Sequence, residues 1–132
     1  MDVSFLLPTA REISHPTMLD ECIEGIHKSA QGLDYEILVY SQNRVKGDRV
    51  AWIKEEVPKG PIRGFNLLAS SYARGEYIVC ITDDHLIKDP IELCLNHAEN
   101  VFLNRKYKIV GLKPRGATPI IPKKGQTFGS SL

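Results

Sequence analysis

Short apolar runs alternate along this chain with stretches in which apolar residues recur every three or four positions. Val3-Ser4-Phe5-Leu6-Leu7 is the first run, stopped by Pro8-Thr9. A near-continuous apolar run of this length predicts a strand buried on both faces. Met18, Leu19, Cys22, Ile23, Ile26 and Ala30 then share one helical face, opposite Asp20, Glu21, Glu24 and Lys28. Ser14 as cap, Pro16 in the first turn and Gly32 beyond the end bound that helix. Glu36-Ile37-Leu38-Val39-Tyr40 predicts a second buried strand, and the polar stretch from Ser41 to Arg49 a loop. Residues 50–56 fit a third strand or a short helix. Pro58-Lys59-Gly60-Pro61 is a turn cluster. Phe65, Leu68, Ala69, Tyr72 and Ala73 mark a second helix closed by Gly75, with Tyr72 and Trp52 read as core.

Tyr77-Ile78-Val79-Cys80-Ile81 is the most apolar strand, and it runs directly into Thr82-Asp83-Asp84-His85. Asp89-Pro90-Ile91-Glu92 combines a capping Asp with a Pro suited to the first helical position. Ile91, Cys94, Leu95, Ala98, Val101 and Phe102 supply the face of that third helix. Lys108-Ile109-Val110-Gly111-Leu112 predicts a final strand, and Ile120-Ile121 is the one further strand candidate in a Gly-, Pro-, Lys- and Ser-rich end. Such alternation predicts an α/β three-layer sandwich with a mainly parallel sheet over residues 1–114, followed by a tail over 115–132. Ligands of such sheets sit outside the carboxyl ends of the strands. The polar residues there are Thr9, Arg11, Ser41, Asn43, Asp83, Asp84 and His85.

Composition narrows the function classes. At 132 residues and 42% hydrophobic, the chain has the size and apolar content of one globular domain. A net charge of +1 gives no support to nucleic-acid or membrane-surface binding, so no nucleic-acid partner is expected. No apolar run approaches the roughly 20 residues of a transmembrane segment. The start, Met1-Asp2-Val3-Ser4, does not read as a signal peptide. Cys22, Cys80 and Cys94 form no C-x-x-C pair and read as buried reduced thiols, in keeping with a cytoplasmic location. Beyond Glu99 there are basic residues and no acid, which describes a solvated basic tail or an anion-binding surface.

The chemistry concentrates at Asp83-Asp84-His85. Two carboxylates and an imidazole at a strand end offer hard ligands for Mg²⁺ or Mn²⁺, which commonly bind through one or two carboxylates plus substrate phosphates. The competing reading is an acidic turn that caps the next segment. Neither G-x-x-x-x-G-K-[ST], G-x-G-x-x-G nor G-x-S-x-G occurs, which disfavours a P-loop, a dinucleotide site and a hydrolase elbow. His15, His27 and His97 read as turn, solvated and helix-surface residues.

Several segments, in order, resemble family 2 glycosyltransferases, inverting enzymes of the GT-A fold. Val3 to Arg11 is similar to the opening strand and its Pro-Thr turn, here closed by Arg11, and Asp34 to Val39 to the second strand. Gly60 to Asn66 is similar to the stretch opening the third helix. Ala73-Arg74-Gly75-Glu76-Tyr77-Ile78-Val79 leads into the acidic motif as it does in that family. The likeness covers about residues 2–112. It implies a nucleotide-diphosphate sugar donor and an unknown acceptor. Thr9 and Arg11 would lie near the base or ribose, and Ser41 and Asp83 also belong to the expected nucleotide site. Arg63 and Asn66 would lie beside the nucleotide. Asp84 would hold the metal, and His85 joins it by adjacency. Thr82 stands where the family's first motif aspartate usually does, and Tyr40-Ser41-Gln42 replaces the acid that commonly ends the second strand. The helix between the second and third strands is missing, and no acid after Glu99 matches the catalytic base.

The expectation is therefore a compact or truncated GT-A-like chain that binds a nucleotide-diphosphate sugar with a divalent metal. The alternative is a non-catalytic nucleotide- or sugar-phosphate-binding module descended from such an enzyme. A receiver-like domain would place its acids after the first strand. A nucleotidyltransferase would show a glycine-rich first loop, which Pro8-Thr9-Ala10-Arg11-Glu12 is not. Self-association, or a partner chain supplying the acceptor half, is expected from the length.

Overall fold

The computed structural model describes residues 1–105. Its elements are β1 (Val3–Pro8), α1 (Pro16–Ser29), β2 (Tyr35–Ser41), β3 (Val50–Lys54), α2 (Pro61–Ser71), β4 (Tyr77–Cys80) and α3 (Ile91–Arg105). The chain divides into two compact units, Met1–Leu95 and Asn96–Leu132. All four strands, α1, α2 and the first residues of α3 belong to the first unit.

The sheet has four strands in the order β3-β2-β1-β4, all parallel. The two central strands, β1 and β2, are buried along their whole length, which is why they read as near-continuous apolar runs. The register puts Leu6, Leu38, Tyr40 and Ile53 on one face and Phe5, Ile37 and Val39 on the other. Leu68 of α2 closes a core cluster with Leu6, Leu38 and Tyr40. On the opposite face, Tyr35 meets His27 of α1, whose Nδ1 lies 2.6 Å from the Tyr35 hydroxyl. Helices thus engage both faces of a parallel sheet, an arrangement compatible with a three-layer sandwich. No helix among the described residues is long and apolar enough to cross a membrane.

Residues 50–54 form a strand, which settles the choice between strand and helix there. No helix joins β2 to β3. Val50 pairs with Ile37, so the chain must return from Ser41 by about 13 Å at ~3.3 Å per residue. The loop of residues 42–49 spans that without a helix. Arg49 ends the loop with φ of 57°, uncommon for a side chain with a Cβ. Its guanidinium lies 4.6 Å from the centre of the Tyr35 ring and donates to the Tyr35 carbonyl at 3.3 Å.

Several local expectations are corrected. His15, not Ser14, is the N-cap of α1, and the Ser14 hydroxyl meets His15 Nδ1 instead. α2 begins at Pro61, inside the turn cluster, and ends at Ser71. Tyr72 is therefore its C-cap and is exposed rather than core. Trp52 is half-buried, with its indole N–H donating to Ser41 Oγ at 3.0 Å. His27 is half-buried and bonded rather than solvated. Only Cys22 of the three free thiols is buried; Cys80 and Cys94 are half-buried. α3 starts at Ile91, one residue beyond the expected Pro90. The strand expected at Lys108–Leu112, the Ile120-Ile121 candidate, the boundary at 114 and the basic tail lie outside the described residues.

One polar cluster at the amino end of the sheet fixes β4 against β1. Glu36 is 5% exposed. Its Oε2 accepts from Ser4 Oγ at 2.6 Å and from the Arg74 main-chain N–H at 2.9 Å. Its Oε1 accepts from Arg74 Nε and Nη2 at 3.2 and 3.1 Å. Ser4 Oγ in turn accepts from the Gly75 N–H at 2.7 Å. Gly75 is not a helix cap. A Cβ there would stand 2.4 Å from Ser4 N and 2.6 Å from the Val3 carbonyl carbon, both backbone atoms that cannot step aside.

Burial by itself raises the Glu36 pKa, but the bonds from Ser4 and Arg74 outweigh it and hold the carboxyl below its ordinary value. A depressed folded-state pKa stabilises the fold fully above the unfolded value of about 4.3, and that contribution is lost as pH falls through the folded value. Glu36→Gln is expected to cost about 1–3 kcal/mol at neutral pH. It should also flatten the loss of stability that the wild type shows below about pH 4.5. Gly75→Ala should cost about 3 kcal/mol through overpacking, with no such pH dependence. Urea unfolding across the acid range measures all three.

Candidate functional site

The sheet order places the site. The chain leaves β1, builds β2 and β3 outward on one side, and returns to lay β4 on the other side of β1. Connections on the two sides diverge at the carboxyl ends of β1 and β4, and a crevice opens there. A cleft of about 310 Å³ lies at that point. Thr9 and Arg11 after β1, Tyr40 of β2, Glu55 after β3, and Asp83 and Asp84 after β4 all line it.

Thr9, Arg11 and Asp83 form a closed set. Thr9 Oγ1 donates to Asp83 Oδ2 at 2.5 Å, and Arg11 Nη1 donates to Asp83 Oδ1 at 3.2 Å. The Arg11 main-chain N–H donates to Thr9 Oγ1 at 3.1 Å. Asp83 is buried, and both its oxygens are engaged within the protein. It forms the cleft's floor and fixes Arg11, whose side chain stays 44% exposed.

Asp84 differs from its neighbour in exposure. Its side chain is 51% exposed. Oδ1 accepts from Thr82 Oγ1 at 2.7 Å and lies 3.0 Å from His85 Nδ1. The Thr82 bond holds the carboxyl below its usual pKa against a partial desolvation, with help from His85 and Arg11. Asp84 is therefore an ionised, accessible carboxylate at neutral pH. Among the described residues no group of three or more His, Cys, Asp or Glu side chains gathers to hold a metal ion. Asp84 and His85 fit a divalent cation only in a shared site, where a ligand's phosphates supply the remaining donors.

The other expected residues separate from this group. Ser41 is buried, donating to the Asn43 carbonyl at 2.7 Å and accepting from Trp52, so its hydroxyl shapes the β2–β3 loop. Asn43 binds Glu12 Oε1 through both its main-chain and side-chain N–H groups. Arg63 lines a neighbouring depression with Lys54 and Lys59. Asn66 is exposed on α2 and lines neither hollow. Sequence reasoning missed Glu55, absorbed into the strand that it in fact follows. The signal was present: an acid closes an apolar segment at the carboxyl end of a parallel strand, where ligand groups belong.

Beneath the cleft, Cys22 Sγ donates to the Thr82 carbonyl at 3.7 Å. Burial, together with the negative charges of Asp83 and Asp84, pushes this thiol up to about 12. The thiolate is the reactive form, so Cys22 should resist alkylation in the native protein at about pH 8 and react on unfolding. Peptide mass mapping after a timed iodoacetamide pulse reads this directly.

No protein-family model matches this chain, and no curated protein matches its sequence. The geometry and chemistry of the cleft carry the functional reading.

Proposed function

We propose that this chain is the donor-binding part of a glycosyltransferase-like protein of the GT-A type. In this reading the crevice between β1 and β4 takes a nucleotide-diphosphate sugar, with Mg²⁺ or Mn²⁺, for transfer to an acceptor. One observation carries it: an ionised, accessible Asp84 stands beside the Thr9–Asp83–Arg11 set where a parallel sheet opens to ligands. The ordered resemblance of residues 2–112 supports the same reading.

Asp84 and His85 would hold the metal, and Asp83 would act as a positioning residue by orienting Arg11 toward the ligand. A bound divalent cation would neutralise the diphosphate and assist its departure. Glycosyl transfer also needs a base for the acceptor hydroxyl. Among the described acids of the cleft, Asp83 has both oxygens engaged and Asp84 is assigned to the metal, which leaves Glu55 as the acid whose carboxylate has no protein partner. Where Glu55 instead holds the ligand, a second reading follows, a module that binds the nucleotide sugar without catalysing transfer.

Calorimetric titration with UDP, GDP and their sugar conjugates, with and without Mn²⁺, tests the reading. Metal-dependent binding is expected, weakened at least about tenfold in Asp84→Ala, the cost of one charged contact. Binding that ignores both metal and mutation would refute it. Release of free sugar or transfer to water by the metal-loaded protein separates the enzyme from the module.

A further inference from the structure

Ser4, Thr9, Ser29, Glu36, Ser41 and Asp83 are buried polar residues whose side chains all have hydrogen-bond partners. Glu55 completes the set of buried polar residues at 8% exposed, and its carboxyl group has no hydrogen bond or ion pair among the described residues. The adjacent Lys54 lies near Glu56 instead, at 4.0 Å. The Glu55 oxygens are not sealed in, because the one fully enclosed, unpartnered side-chain oxygen among the described residues is Glu12 Oε2. They keep access to a ligand, and Glu55 is among the residues that line the cleft. The backbone beneath is fixed, since the Glu55 N–H donates to the Ser41 carbonyl at 2.8 Å. A carboxylate that is mostly buried and has no donor from the protein keeps its acceptor sites free for a ligand.

The surroundings say what kind of donor fits. Pro8, Tyr40, Pro58 and Pro61 give this cleft largely apolar walls. Such walls suit a planar ring. A carboxylate presents two parallel acceptors and pairs best with two parallel N–H donors, the geometry that makes bidentate pairs strong. Of the common nucleobases, guanine alone offers that edge, through N1–H and its 2-amino group. Adenine, cytosine and uracil each alternate donor with acceptor and would set a lone pair against one carboxylate oxygen.

We propose that Glu55 reads the base, and that it selects a guanine nucleotide. The inference rests on the donor-binding reading above and deepens it by naming the nucleotide class. Glu55 faces the base, while Asp84 faces the phosphates.

The test is titration of the full chain with GDP, IDP, UDP, ADP and CDP at one Mn²⁺ concentration. GDP is expected to bind tightest, by about tenfold or more over UDP, ADP and CDP. IDP lacks only the 2-amino group and should lose about tenfold against GDP, a comparison that needs no variant. Glu55→Gln replaces two acceptors with one acceptor and one donor. It should weaken GDP about tenfold or more while leaving UDP unchanged or improved, whereas a merely structural role would weaken both together. Equal, metal-dependent affinity for every base, or equal binding of GDP and IDP, would overturn the role of Glu55 and leave the donor site standing. Binding of no nucleotide would overturn both.

Discussion

The buried carboxylate of Glu36 holds the turn between α2 and β4 against the start of β1, and the placement of every cleft residue after β4 follows from that contact. Glu36 gathers donors from Ser4 on β1 and from Arg74 in the turn. Gly75 then lies so close to Val3 and Ser4 that no side chain fits. The Glu76 and Tyr77 N–H groups continue the seam by donating to the Met1 and Asp2 carbonyls. From there the β1–β4 register is set, pairing Val3 with Tyr77 and Leu6 with Cys80. The sidedness of the sheet reversal, and hence the crevice, is a consequence of this docking.

A second latch closes the other end of the same seam. The Ile81 N–H donates to the Leu6 carbonyl, and Thr9 Oγ1 donates to Asp83. Two carboxylates therefore bracket one strand pair, Glu36 at the amino end and Asp83 at the carboxyl end, each engaged through both oxygens. Buried acids satisfied in this way specify one arrangement, since a slip along the seam would leave each of them unpaired. Asp84, one residue beyond the latch, inherits a fixed position while its own carboxyl stays in solvent. Adjacent aspartates thus differ, Asp83 holding the fold and Asp84 staying open to solvent.

Much of this was legible in the chain itself. The central strands announced themselves as near-continuous runs because both their faces are buried, but the half-exposed β3 and β4 read as equally apolar, so the pattern gave the strands without telling centre from edge. The strand-end rule located Thr9, Arg11, Asp83 and Asp84 together. What escaped was set by contacts distant in sequence. Gly75 looks like a helix stop, yet it is required by the approach of Ser4. Gly64 faces a similar demand: a Cβ there would fall 2.8 Å from Pro8 and 2.9 Å from Tyr40 as α2 packs on the sheet. That close packing carries the helix back to Pro61, and Tyr72 is left outside. Ser41 sits where a ligand group is expected, but Trp52 reaches it from β3 and draws its hydroxyl into the loop. Neither spacing nor composition reports a partner so far along the chain.

The electrostatics of the cleft bear on how the two proposed roles fit together. Glu55, Asp83 and Asp84 line it, against Arg11 alone on the positive side. Lys54, Lys59 and Arg63 line the neighbouring depression instead, which Tyr40 shares with the cleft. A diphosphate entering by itself would meet more negative than positive charge at close range, and in a partly desolvated site that repulsion is poorly screened. In the proposed reading, a divalent cation on Asp84 would reverse the sign where the phosphates would lie and make anion binding conditional on the metal. Glu55 in its proposed role would need no such ion, because the N–H donors of a neutral base satisfy a carboxylate without bringing charge. One cleft can then hold both ends of the same ligand, its anionic part through a shared metal and its neutral, donor-rich part directly.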